Sequence, residues 1–366
     1  MKVSLVTRTA GIAAVAAIGL AACGSSSSGG TTGGNGNGGN GGGGSSTSLS
    51  PQGSTFQQTL EQQWATKFHN ANPSDQITYT GTGSTAGIAA FTQGTAPFAG
   101  SDVTMTSDEQ TQANSACGST ALTLPITSGG VAIMYNLPGV SKPLNLSAQT
   151  IAGIFMGKIK NWSDPAIKAE NAGVTLPNTP ISVYYRADGS GTTNVLSGFL
   201  DAAAKSVWTL GVNKQFTNWP TGSGATGSSG VAQGVKSTQG GITYAEITFA
   251  KQDNLQTANV KGFGSSYVPL TNASVAQSIA TGFSVTGTGH DLAGALAYDK
   301  MKGYPISTVS YVLVCSKYKN AGEGTLVKNY LAYAAGAGQA EGPALGFAPL
   351  PKGLDAKVKA SIATIS

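Results

Sequence analysis

Charge is scarce in this 366-residue chain. Asp, Glu, Lys and Arg make up 10% of it, with 21 basic and 16 acidic residues. There is no Lys/Arg-rich run, and a scattered net charge of +5 argues against a nucleic-acid partner. Histidine is almost missing. The two present, His69 and His290, stand in no Cys/His/Asp spacing that makes a zinc site, and both are expected at the surface. The chain lacks a Gly-x-Ser-x-Gly elbow, which with so few candidate bases argues against a Ser-His-Asp hydrolase. It lacks a Gly-x-x-x-x-Gly-Lys-Ser/Thr loop, so ATP binding is not expected. With neither an activated nucleophile nor a metal set in view, the expectation is a protein that is not an enzyme and holds no cofactor or metal. Beyond the leader, no apolar run is long enough to cross a bilayer.

What is abundant is small and neutral: 52 glycines, with many Ser, Thr and Ala, a composition suited to neutral hydrogen bonding. Residues 1–23 read as an export signal. Lys2 and Arg8 make a basic start, a short apolar run ends at Leu20, and Ala21-Ala22 places small residues before Cys23. Removing Lys2 and Arg8 leaves 19 basic against 16 acidic residues, a net charge of +3. Residues 24–50 are nearly all Gly, Ser, Thr and Asn and bury no apolar surface, so a flexible tether is expected. The globular part, 51–366, suits two lobes better than one core. Cys117 and Cys315 remain. In an exported chain such a pair suggests a disulfide, with two separate thiols as the alternative.

Strands and helices alternate in the globular part, which points to α/β architecture with open twisted sheets. Thr55 and Gln58 have capping-box spacing before a helix whose Phe56, Leu60, Trp64 and Phe68 share one face. Thr106 and Glu109 repeat the pattern. Two long β runs, 122–135 and 306–314, are the expected crossings between lobes. The first lobe is then discontinuous, 51–127 plus 304–366, around a second of 128–303. Ligands in such folds sit at the carboxyl ends of strands, between domains.

The most telling stretch is Tyr185 to Thr193. The β-branched and aromatic run Ile181 to Tyr184 precedes it, and a helix with Val195, Leu196, Phe199 and Leu200 on one side follows. A strand, a Gly/Ser/Thr turn and a helix start make an anion cradle, because the first helical amides have no internal partner. Ser190, Thr192 and Thr193 add hydroxyl donors, and Arg186 a forked guanidinium. Asp188 is placed to pair with Arg186. Thr55 and Ser84-Thr85 stand at two further helix starts of the same character, although each alone reads as an ordinary cap. Gly222 to Gly227, with Glu246 beyond, matches a dinucleotide fingerprint, but Pro220 and the surrounding Gly and Ser make it a weak match.

Together these pieces resemble the substrate-binding protein of the Pst-type phosphate ABC transporter. The matching segments are Gly53-Ser54-Thr55-Phe56, Gly81-Thr82-Gly83-Ser84, Gly94 to Asp102, Arg186-Ala187-Asp188-Gly189-Ser190-Gly191-Thr192, Gly240 to Glu246 and Tyr304-Pro305-Ile306. One small departure is Ala99-Gly100-Ser101 before Asp102, where Gly-Ala-Ser is more usual. The resemblance implies a two-lobed periplasmic-binding-protein-like fold (type II) with hinge strands between the lobes. It implies phosphate contacts from Thr55, Phe56 through its backbone, Ser84, Asp102, Arg186, Ser190, Gly191 and Thr192, with Asp188 in support. It also implies a monomer that delivers phosphate to permease subunits and their ATPase. Cys23 resembles the lipidated cysteine of a bacterial lipobox, which implies anchoring to the outer face of the cytoplasmic membrane, at the cell surface or in the periplasm.

Overall fold

The strand Ala121–Tyr135 organises the molecule, and all 15 of its residues are buried. Both of its faces are covered: Leu122, Leu124 and Ile126 alternate along its first part and Val131, Ile133 and Tyr135 along its last, and Ala132 and Met134 between the latter are buried as well. The computed structural model describes residues 47–366; the export signal, Cys23 and most of the tether lie outside the described residues. The described residues begin before Pro51. Thr47–Leu49 pairs in parallel with Asp75–Ile77, because Leu49 supplies one apolar side chain that becomes buried.

The long strand changes partner along its length. Ser307–Cys315 runs antiparallel to it from Ala121 to Gly130, with a register shift between Ser310 and Tyr311. Glu246 to Ile242 then pairs antiparallel with Val131 to Tyr135. Outward from Ser307–Cys315 lie Ala99–Ser101, Gln52–Gly53 and Thr80–Gly81, mutually parallel. Outward from Gly241–Glu246 lie Ser182–Arg186 and Ser223–Ala225, again mutually parallel. Two parallel half-sheets thus share one continuous strand. Contacts across them are dense, and the described residues, 47–366, belong to one compact unit.

Most of these parallel strands lead into helices. Gln52–Gly53 precedes Gln58–Ala71, Thr80–Gly81 precedes Ser84–Thr92, Ser182–Arg186 precedes Gly191–Ala203, and Ser223–Ala225 precedes Gly227–Lys236. The expected capping box at Thr106 and Glu109 forms. The one at Thr55 and Gln58 does not: the helix starts at Gln58 with no side-chain cap, because the Thr55 hydroxyl is engaged elsewhere. The face of Phe56, Leu60, Trp64 and Phe68 is buried as its spacing predicts. Among the described residues no helix is long and apolar enough to cross a membrane. His69 and His290 are exposed.

Cys117 ends the helix Ser107–Cys117, and Cys315 ends the strand Ser307–Cys315. The two are joined in a disulfide with Cα atoms 5.5 Å apart, across 198 residues of chain. Cross-links over long loops restrict the unfolded chain most. Replacing both cysteines by serine is expected to destabilise the fold by about 2–5 kcal/mol, read as a lower midpoint in denaturant.

Two buried glutamates carry a pH signature. Glu61 accepts from the Tyr330 hydroxyl at 2.6 Å while its other oxygen has no partner. Glu246 accepts from the Thr248 amide at 2.9 Å and likewise keeps one oxygen unpartnered. Burial pushes Glu61 up from 4.5 to about 7, against the pull of Tyr330, and pushes Glu246 up to about 8, against the pull of Thr248. A carboxyl raised in the folded state leaves stability intact below its unfolded pKa and removes it as pH rises through the folded one. Thermal unfolding is therefore expected to occur at progressively lower temperature from about pH 4.5 to about pH 8. Glu61→Gln and Glu246→Gln should each flatten that fall.

Candidate functional site

Polar side chains that belong to distant parts of the sequence meet at the carboxyl ends of the parallel strands. From one half-sheet come Ser54 and Thr55 after Gln52–Gly53, Ser84 after Thr80–Gly81, and Asp102 after Ala99–Ser101. From the other come Arg186, at the end of Ser182–Arg186, the Ser190–Thr193 turn, and Ser228 after Ser223–Ala225. Every one of them is buried, Arg186 at 1% exposure and Asp102 at 4%. The backbones approach closely here. A Cβ on Gly191 would lie 2.5 Å from Ser84 Oγ and 2.6 Å from Asp102 Cβ. One on Gly83, at φ 92°, would lie 2.7 Å from the Gly189 carbonyl oxygen. Glycine is required at both positions for the two sides to meet.

Asp102 is held unevenly. Its Oδ1 accepts from Ser54 Oγ and from Ser310 Oγ, each at 2.6 Å. Its Oδ2 has only long contacts, Thr192 Oγ1 at 3.4 Å and Ser84 Oγ at 3.5 Å. Burial raises the pKa of this carboxyl. Hydrogen bonds from Ser310 and Ser54, the Arg186 charge and Thr192 pull it back. Ser84 Oγ also accepts from the Asp102 amide at 3.2 Å, so one hydroxyl touches both ends of that residue. Asp102 does not cap the next helix, which Thr106 caps.

Arg186 is nearly surrounded. Its Nε donates to Asp188 Oδ1 at 2.6 Å, and its Nη2 donates to Asp188 Oδ2. Its Nη1 donates to Thr55 Oγ1 at 3.0 Å and to Ser228 Oγ at 3.4 Å. The fork of the guanidinium matches the carboxylate. Burial pushes the Asp188 carboxyl up, but the hydrogen bonds and charge of Arg186 and the Gly227 amide outweigh it and hold Asp188 below the usual range. The positive charge is thereby fixed in place and largely balanced.

Hydroxyls and helix-start amides supply the remaining donors. Ser190 Oγ accepts from the Thr193 amide at 3.1 Å and caps Gly191–Ala203. The Gly191 and Thr192 amides precede Asn194, whose amide is bonded to the Ser190 carbonyl at 3.2 Å, so they have no partner within the helix. Thr193 Oγ1 lies 2.7 Å from the Tyr244 hydroxyl, which also accepts from the Arg186 amide at 3.2 Å. The Phe56 amide donates to Ser54 Oγ at 3.0 Å, while its ring is buried edge-on against Phe347 at 5.8 Å. Thr55, Ser84, Asp102, Arg186, Ser190, Gly191 and Thr192 are thus brought together, with Asp188 behind Arg186. Cys117 and Cys315 are placed elsewhere, in the disulfide already described. Among the described residues no group of His, Cys, Asp and Glu is arranged to hold a metal.

Four members of the cluster were not singled out from the sequence. Ser54 lies inside the Gly53-Ser54-Thr55-Phe56 segment, so a signal existed. Ser228 follows the glycine-rich loop that resembled a dinucleotide fingerprint; the Gly227 amide donates to Asp188 Oδ1 at 3.0 Å, and the loop belongs to this site. Tyr244 lies inside the Gly240 to Glu246 segment, so a signal existed for it too, whereas Ser310 lies in a buried strand where nothing local marks it. Glu246 caps the next helix through the Thr248 amide.

A family profile described as "PBP superfamily domain" matches residues 33–337. The chain is 39% identical over 324 residues to phosphate-binding protein PstS 3 of Mycobacterium tuberculosis, covering 87% of each. It is 30% identical to phosphate-binding protein PstS of Xylella fastidiosa, covering 86% of this chain and 85% of that one. Among solved structures, a high-affinity periplasmic phosphate-binding protein, PfluDING, determined with bound phosphate, superposes with a TM-score of 0.69 at 26% identity. That match covers 86% of this chain and 93% of the other.

Proposed function

The chain belongs to the PBP superfamily as a PstS-type phosphate-binding protein, and from that premise we propose that it captures one inorganic phosphate at the cluster around Asp102 and Arg186 and delivers it to an ABC transporter for import. It works outside the cytoplasm as a binding protein and not as an enzyme. The observation that carries the assignment of the site is the uneven clamp on Asp102, with Oδ1 saturated by two serines and Oδ2 left nearly free.

A carboxylate beside an anion is repulsive unless the anion brings a proton to donate. Phosphate near neutral pH keeps at least one proton, and sulfate keeps none. Asp102 Oδ2 therefore accepts a hydrogen bond from phosphate and is left facing bare oxygens with sulfate, at the cost of an unpaired buried acceptor. Ser84, Ser190 and Thr192 hydroxyls and the Gly191 and Thr192 amides supply the opposing donors, while Thr55 and the Phe56 amide, engaged by Ser228 and Ser54, line the site. Arg186, steadied by Asp188, supplies the only guanidinium among these groups. Binding then rests on many oriented neutral donors, which suits so weakly charged a chain.

The same reading gives the wider organisation. Lobes of 51–127 plus 304–366 and of 128–303 close over the anion about the strands where Ala121–Tyr135 changes partner, as in hinge-type binding proteins. A lipidated Cys23 and the tether hold the monomer at the outer face of the cytoplasmic membrane, within reach of the permease subunits and their ATPase.

Titration calorimetry against phosphate, arsenate and sulfate tests the assignment. One phosphate per chain is expected, with sulfate weaker by at least about a hundredfold. Arg186→Ala should weaken phosphate by at least about tenfold, and Asp102→Asn should narrow the gap between phosphate and sulfate. Equal affinities in the unsubstituted chain would remove the argument from Asp102.

A further inference from the structure

Thr55 and Ser228 lie 173 residues apart, yet their hydroxyl oxygens are 2.8 Å from each other. They belong to opposite half-sheets. Thr55 follows Gln52–Gly53, outward from Ser307–Cys315, whereas Ser228 follows Ser223–Ala225, the outermost strand of the other side. Both side chains are buried, Ser228 at 0% exposure. This bond therefore crosses the cleft that an anion must enter and leave.

Counting hydrogens gives its direction. Thr55 Oγ1 accepts from Arg186 Nη1 at 3.0 Å and from the Ser228 amide at 3.3 Å. A hydroxyl oxygen has two acceptor sites and one hydrogen, so the Thr55 hydrogen goes to Ser228 Oγ. Ser228 Oγ, the acceptor of that hydrogen, also lies 3.4 Å from Arg186 Nη1. The Gly227 amide, one residue earlier, holds Asp188 Oδ1. The glycine-rich loop thus reaches both the carboxylate behind Arg186 and the threonine in front of it.

We propose that Ser228 is a positioning residue that latches the glycine-rich loop to Thr55 across the cleft, and so sets how long the anion stays bound. The proposal rests on phosphate being the ligand of this site. The latch forms only when the two sides meet. Losing it should speed release and leave association nearly untouched.

The test is the exchange of bound radiolabelled phosphate against unlabelled phosphate, with Kd from calorimetry, for the unsubstituted chain, Ser228→Ala, Thr55→Val and the double variant. Ser228→Ala is expected to release phosphate about tenfold faster with little change in association. It should add little once Thr55→Val is present, because both remove the same bond. An unchanged release rate, or effects of the two substitutions that multiply independently, would overturn the latch while leaving phosphate binding intact. A chain that binds no phosphate at all would overturn the phosphate reading and the latch with it. Should Ser228→Ala not fold, Ser228→Cys keeps the volume, donates only weakly, and carries the same expectations.

Discussion

One strand sets the register for both sides of the molecule. Ala121–Tyr135 pairs with Ser307–Cys315 along its first part and with Gly241–Glu246 along its last. A slip of one residue in either pairing would turn every side chain to the opposite face. In the first pairing it would take Ser310 away from Asp102. In the second it would take Tyr244 away from Arg186 and Thr193. The polar cluster is therefore a consequence of sheet register, and the different side chains packed against the two buried faces of this strand hold that register, because a slip would exchange one set for the other.

Within that frame the site solves a desolvation problem. An arginine at 1% exposure and an aspartate at 4% are costly unless each is bonded. Asp188 answers for the guanidinium, and Ser54 and Ser310 for half of the Asp102 carboxylate. What is left over is one under-used carboxylate oxygen, spare helix-start amides and several hydroxyls. That set favours an anion that can donate one hydrogen bond while accepting many.

Much of the architecture was legible in the chain. The two long β runs, the apolar face of Phe56, Leu60, Trp64 and Phe68, the Thr106 capping box and the strand–turn–helix at Arg186 appear close to where their patterns place them, because each depends on neighbours within a few residues. The Thr55 capping box misled for an instructive reason. A threonine before a helix reads as a cap, but a hydroxyl claimed by Arg186 and Ser228 from across the cleft cannot also serve the helix start. The glycine-rich loop, a weak match to a nucleotide fingerprint, instead places its Gly227 amide on Asp188, a contact that no pattern within the loop announces.

The amino-acid sequence by itself determined the scarcity of charge, the helix-start donors, the neighbouring Arg186 and Asp188, and the glycines that permit close approach. These are properties of single residues or short segments, and no folding is needed to read them. Only the tertiary structure decided that Ser310 and Ser54 clamp one oxygen of Asp102, that Tyr244 stands behind Arg186, and that Ser228 meets Thr55. Such pairings join residues from 48 to 208 positions apart, and hydrogen bonds of that range exist only after the sheet has fixed which strand ends face one another.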